Sequence, residues 1–255
     1  MNSIITLFKR DFNATVNSNR FLLLTFFCVL FWSIVFIRWT VMYAEMSIIA
    51  GQPGQNQSLN IHSNLLMSYF SWINIFLLFV VPVVTMGFIA DERRAHTFEL
   101  LMTSPVRPLQ IVFGKYLAGI SLGSILVCFG FVFPLILSIF ADIDFGALLS
   151  AFFGFLLVVA LYTAIGMFSS SVTSSATVAV VLGIVLNLSL FLVAGTHWRF
   201  ENQIVSQLVQ QSDVASHVNV FLRGEFQLAS MVSVLSLTSV FLFLSERMLE
   251  AEKWR

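Results

Sequence analysis

Asp91 to Lys115, reading DERRAHTFELLMTSPVRPLQIVFGK, carries seven charged side chains between two stretches, Met46 to Ala90 and Tyr116 to Ala141, that carry none. Charges placed between membrane spans belong in water. Glu92, His96 and Glu99 recur at helical spacing on one face, while Arg94, Phe98, Leu101 and Met102 fall on another. Thr103, Ser104 and Pro105 then stop the helix, because proline disfavours helical geometry in the residue before it and donates no backbone bond. A charged rim beside an apolar face is the chemistry of docking, where a solvated connector would need no apolar face. Bond-making chemistry is harder to find. The one Gly-Lys pair, Gly114 and Lys115, has Leu109 where a phosphate loop needs its first glycine and Tyr116 where it needs Ser or Thr. The spacing of His62, His197 and His217 suits no metal site. Cys28 and Cys128 fall inside apolar runs and read as core residues, with no disulfide and no metal.

The elements that must hold this segment follow from composition. With 58% apolar residues, 10% charged residues and a mean hydropathy of +0.91, the chain is an integral membrane protein. Spans of roughly 20 residues each leave little for a soluble domain, so residues 1–255 read as one membrane domain. Uncharged apolar runs give six expected spans, at 21–43, 65–90, 116–140, 147–168, 176–194 and 228–244. The long run from Phe145 to Trp198 is divided by Ser169, Ser170, Ser171, Thr173, Ser174 and Ser175, which read as a hairpin turn. Residues 1–20 hold Ile4, Ile5, Phe8 and Phe12 at helical spacing beside Lys9, Arg10 and Asp11, the pattern of an amphipathic helix on a membrane surface. In the loop 195–227, Ser212 or Asp213 can cap a short helix with the stripe Val214, Val218, Phe221 and Leu222, expected to lie against the outer membrane face.

Ten of the 13 Lys and Arg residues fall on the side of the two termini; Arg38, Arg199 and Arg223 do not. The positive-inside rule puts both termini and segment 91–115 in the cytoplasm. Asn74 and Asn187 are the polar residues expected within the bilayer. Spans without acids or bases argue against a proton-coupled carrier. Zero formal net charge implies no nucleic-acid partner. Gly119 and Gly123 form a G-x-x-x-G that permits close helix approach, within one subunit or across a dimer.

The passage NIFLLFVVPVVTMGFIADERRAHTFELLMTSPVRPLQIVFGKYLAG, Asn74 to Gly119, resembles the ABC-2 type permeases, the membrane subunits of ATP-binding cassette exporters. The subgroup with gliding-motility and nitrous-oxide-reductase accessory permeases is the nearest resemblance. FSSSVTSSATVAVV and SHVNVFLRGEF are similar to the family's turn between spans four and five and to its outer segment before span six. Ala95 and His96 depart from the glycine often found before the Thr97 equivalent.

The resemblance implies an all-α permease with a cytoplasmic coupling helix between spans 2 and 3. In it Glu92, Arg93, Arg94, Thr97, Glu99, Leu100, Leu101 and Met102 would seat in a groove of a separate cytosolic ATPase. Apolar members would fill the groove and charges would set register at its rim. ATP and magnesium would be bound by that partner, present in two copies; this chain would be non-catalytic and hold no cofactor. A second permease, as homodimer or heterodimer, and membrane lipid complete the expected partners, in an inner membrane. The alternative is a mechanotransmitter that passes ATP-driven movement to a periplasmic partner without moving a substrate.

Overall fold

The computed structural model describes residues 2–50, 60–95, 108–195, 214–225 and 227–252. All regular structure among them is helical: α1 (Asn2–Val16), α2 (Asn19–Ala50), a π-helical turn (His62–Leu66), α3 (Met67–Thr85), α4 (Gly87–Arg94), α5 (Pro108–Leu137), α6 (Phe145–Val172), α7 (Ala176–Gly195), α8 (Val214–Leu222) and α9 (Leu228–Glu252). Five stretches are long and apolar enough to cross a membrane, at Asn19–Ala50, Asn64–Arg94, Pro108–Leu137, Phe145–Val172 and Leu228–Ala251. A shorter apolar helix runs over Ala176–Leu192. Several helices run beyond the expected spans: α2 continues to Ala50, and α5 begins at Pro108 rather than at Tyr116.

Helix ends are set locally. Ser18 separates α1 from α2; its hydroxyl donates to the Thr15 carbonyl at 2.7 Å and accepts from the Phe21 N–H at 3.2 Å, capping α2. Asp144 caps α6 by accepting from the Gly146 N–H at 2.8 Å. The expected serine hairpin is half helix. Ser169, Ser170 and Ser171 are buried in the last turn of α6, and the turn proper is Thr173 to Ser175, held by the Ser175 N–H on Thr173 Oγ1 at 3.1 Å. Serine is a weak helix former in water, but here its hydroxyls find backbone partners.

α6 lies at the centre, packed against α3, α5, α7, α8 and α9. It buries 67% of its most apolar stretch, against 17% for the peripheral α2. Aromatic rings tie the helices: Phe70 stacks on Phe131 at 4.8 Å, Phe155 meets Phe131 edge-on at 5.7 Å, and Phe31 of the peripheral α2 stacks on Phe76 of α3 at 4.2 Å. Cys28 is buried as expected, whereas Cys128 is on an exposed face of α5.

Two prolines inside these helices each remove the N–H that would serve the carbonyl four residues earlier. Both carbonyls are served from neighbouring helices. Pro82 in α3 frees the Leu78 carbonyl, which accepts from Asn187 Nδ2 of α7 at 3.3 Å. Pro134 in α5 frees the Gly130 carbonyl, which accepts from Tyr69 Oη of α3 at 2.7 Å. Where lipid offers no hydrogen bonds, such side-chain donors are what makes an interior proline tolerable. Gly183 lets α7 approach the Pro82 ring: a Cβ there would stand 3.0 Å from Pro82 Cβ.

The join between α3 and α4 is bridged by one hydroxyl of α6. Ser170 Oγ accepts from the backbone N–H groups of Ile89 and Ala90 at 3.1 and 3.0 Å and donates to the Met86 carbonyl at 2.8 Å. Replacing it removes a bond from two buried N–H groups and one part-buried carbonyl at once, so Ser170→Ala is expected to cost about 1–3 kcal/mol. Ser171→Ala removes a bond to its own helix alone, at the Phe168 carbonyl. Thermal unfolding of the two variants in detergent should separate them, with Ser171→Ala close to wild type.

The short helix α8 departs from expectation. Rather than lying on an outer face, it packs into the bundle, with Phe221 and Leu222 buried. Gly154 of α6 makes the space, since a Cβ there would lie 2.5 Å from Phe221 Cβ. His62 Nε2 meets the Leu222 carbonyl at the end of α8 at 2.7 Å, which closes an orphan acceptor of the last turn.

Candidate coupling site

Segment 91–115 enters from α4 and leaves into α5, and its two ends meet. Lys115 is 1% exposed; its Nζ lies 2.9 Å from Glu92 Oε1 and 3.0 Å from Asp11 Oδ2. Arg10 closes the cycle, donating from Nε to Asp11 Oδ1 at 2.9 Å and from Nη2 to Glu92 Oε1. Two cations and two carboxylates thus form a neutral ring in which each charge faces its opposite. Burial works against the charged Arg10 guanidinium, but the hydrogen bonds and charges of Asp11 and Glu92 outweigh it and raise its pKa. Such a ring satisfies what a buried ammonium needs, namely opposite charges that replace its lost water.

The backbone brings these groups together at a glycine. A Cβ on Gly114 would sit 3.0 Å from Leu7 Cβ and 3.2 Å from the Ile4 carbonyl oxygen, so α1 lies directly against the start of α5. Leu7 is the residue of α1 buried there, and Phe8 stacks on Phe12 at 5.6 Å. Ile5, expected on the apolar face, is exposed. The ring therefore fastens α1, α4 and α5 to one another. It also corrects the expectation that every charge of segment 91–115 faces water, because Lys115 is buried and neutralised by the partly buried Glu92 and Asp11.

Of the residues expected to meet a partner, Glu92 is engaged in this ring, Arg93 is half-buried and Arg94 is exposed at the end of α4. Thr97, Glu99, Leu100, Leu101 and Met102 lie outside the described residues, as does His96. Arg10, Asp11 and Lys115 were not singled out as site residues from sequence. The available signal was a lysine heading an uncharged run and an acid within an amphipathic helix.

The helix-packing positions are all internal contacts of this chain. A Cβ on Gly119 would stand 2.5 Å from Thr163 Cγ2 of α6 and 3.1 Å from the Phe88 ring of α4, and one on Gly123 would overlap Val159 of α6. The G-x-x-x-G thus seats α5 on α6. Asn187 acts as the Leu78 carbonyl donor described above, and Asn74 accepts from Tyr162 Oη at 3.1 Å. Gly119→Leu must push α5 away from α6 and α4, an overpacking cost of about 3 kcal/mol or more. Its yield and melting temperature in detergent should fall well below those of Cys128→Leu, at an exposed position of the same helix.

No curated protein matches the chain. The sequence profile described as ABC-2 family transporter protein matches residues 5–254, from the first turns of α1 to the end of the chain's last helix and beyond. On that match over nearly its whole length, and with five helices long and apolar enough to cross a membrane, the chain belongs to the ABC-2 transporter family, as a multi-pass permease component of an ABC transporter.

Proposed function

We propose that this permease couples ATP hydrolysis by a separate cytosolic ATPase to movement of a substrate across the inner membrane, through segment 91–115. In this reading six spans cross the bilayer, with Ala176–Gly195 as the fifth and both termini cytoplasmic. The observation that carries it is the ring of Arg10, Asp11, Glu92 and Lys115, which closes both ends of the segment onto α1. A segment held at both ends transmits a push to the spans it continues into, whereas a slack loop would absorb it. Glu92 then acts by positioning the segment, and Arg94, Thr97, Glu99, Leu100, Leu101 and Met102 meet the ATPase, with Arg93 beside them. Two ATPase subunits and a second permease complete the transporter, and ATP and magnesium are held by the ATPase.

The path from segment to bundle runs through α4. Ser170 ties the α3–α4 join to α6, so displacement of α4 is felt at the central helix. α6 in turn carries α8 through the Gly154–Phe221 contact. That last contact favours, as a second reading, a mechanotransmitter that hands the movement to a periplasmic partner. Affinity purification of the tagged chain from its native membranes tests the primary reading. An ATP-binding cassette ATPase should co-purify, and ATP turnover by the complex should depend on this permease. Recovery of the permease without any such ATPase would overturn it. A reporter fused after Arg255 should be cytoplasmic and one in the 195–227 loop external; two reporters on one side would refute the six-span topology.

A further inference from the structure

Beside the ion ring, α1, the start of α2 and the α3–α4 join line an open cavity of about 410 Å³, within the size range of small-ligand sites. Its walls divide by chemistry. Phe21, Leu24, Val84 and Phe88 make an apolar side, and Arg20 and Asp91 bring opposite charges. Asp11, Glu92 and Lys115 also reach it but are committed to one another. Arg20 and Asp91 are different. Both are exposed, and among the described residues neither has an ion-pair partner or a side-chain hydrogen bond. The Asp91 carboxylate folds back over Gly87, which also lines the cavity and whose missing Cβ would stand 2.5 Å from Asp91 Oδ2.

One uncommitted cation and one uncommitted anion, set in a cavity with an apolar wall, complement an amphiphile whose head carries both signs. We propose that this cavity binds the headgroup of an ethanolamine phospholipid, with its phosphate on Arg20, its ammonium on Asp91 and its first acyl carbons along Phe21, Leu24 and Val84. A primary ammonium is favoured over a quaternary one by the hydroxyl on the wall. Thr15 Oγ1 spends its proton on the Asp11 carbonyl at 2.8 Å, so it presents lone pairs that an N–H group can use and a trimethylammonium cannot. An anionic glycerol headgroup would set its phosphate near Asp91 without supplying the cation that Asp91 lacks. The inference goes beyond ATPase coupling and does not rest on it; the proposed orientation enters only to name the cytoplasmic leaflet as the source of the lipid.

Native mass spectrometry of the full chain, with phosphatidylethanolamine, phosphatidylcholine and phosphatidylglycerol present at equal mole fraction, reads the binding directly. Wild type should retain phosphatidylethanolamine preferentially. Asp91→Asn and Arg20→Gln, both at exposed positions, should each cut that retention by about tenfold, the usual effect of losing one charge-assisted hydrogen bond. Equal retention by wild type and both variants, or equal retention of the three lipids by wild type, would overturn the proposal. Soluble phosphoethanolamine forms the remaining arm. If it displaces the lipid at comparable concentration, the cavity recognises a water-soluble zwitterion and the lipid assignment falls; if it does not, the acyl contacts are part of the site.

Discussion

Lys115→Met should destabilise this permease strongly, lowering the stability of the purified protein by about 3 kcal/mol. The side chain of methionine fills most of the same space, so the effect is electrostatic. Without Lys115, Asp11 and Glu92 are left with Arg10 as their shared cation, and Arg10 is half exposed while Lys115 is 1% exposed. The retained Arg10 contacts are why the lower end of the usual cost for an uncompensated buried charge is expected. A double substitution makes the test specific. Lys115→Met combined with Glu92→Gln removes one cation and one anion together, so its destabilisation should be smaller than the sum of the two single effects. Unfolding in detergent measures all three; strict additivity, or a Lys115→Met variant as stable as wild type, would show that the ring does not bind the three helices together.

Leu101→Asp should abolish coupling while leaving the permease inserted and folded, and Glu99→Lys should do so more weakly. The two act differently. An aspartate in an apolar groove buries a carboxylate with nothing to pair it, whereas reversing a rim charge creates a like-charge contact that water partly screens. Recovery of the ATPase with the permease should fall by at least about tenfold for Leu101→Asp. Thermal stability of the permease alone should stay near wild type, in contrast to Lys115→Met. Normal recovery and normal ATP turnover in both variants would instead mark residues 96–107 as a solvated connector.

The contrast between these variants follows what was legible in the sequence. Long uncharged runs announced the apolar helices, because nothing but a helix can satisfy its backbone in lipid without a neighbour. Segment 91–115 stood out equally, as a run of charges between two such runs. What the order of residues could not carry is who meets whom. Pro82 and Pro134 signal that the Leu78 and Gly130 carbonyls lose their helical partners, yet nothing local points to Asn187 or Tyr69 as the replacement donors. Ser170 read as turn because serine competes with helix in water, and its actual role needs Met86, Ile89 and Ala90 beside it, some 80 residues away in the chain. Lys115 counted as one more cytoplasmic charge, since its burial depends on Asp11 of a helix more than 100 residues earlier. Whether Gly119 and Gly123 serve packing within one subunit or a dimer seam is likewise undecidable from spacing. The contacts with Thr163 and Val159 account for both glycines within one chain.

If residues 94–102 meet an ATPase, as proposed, a photo-crosslinking amino acid at position 101 should capture it. Irradiated in native membranes, the substituted permease should form one dominant protein adduct, and peptide sequencing of that adduct should identify an ATP-binding cassette ATPase. The same group at position 182, on an exposed apolar face of α7, should give no such product. An absence of ATPase adducts at position 101, in membranes where the ATPase is present and the permease is intact, would rule out docking through this segment.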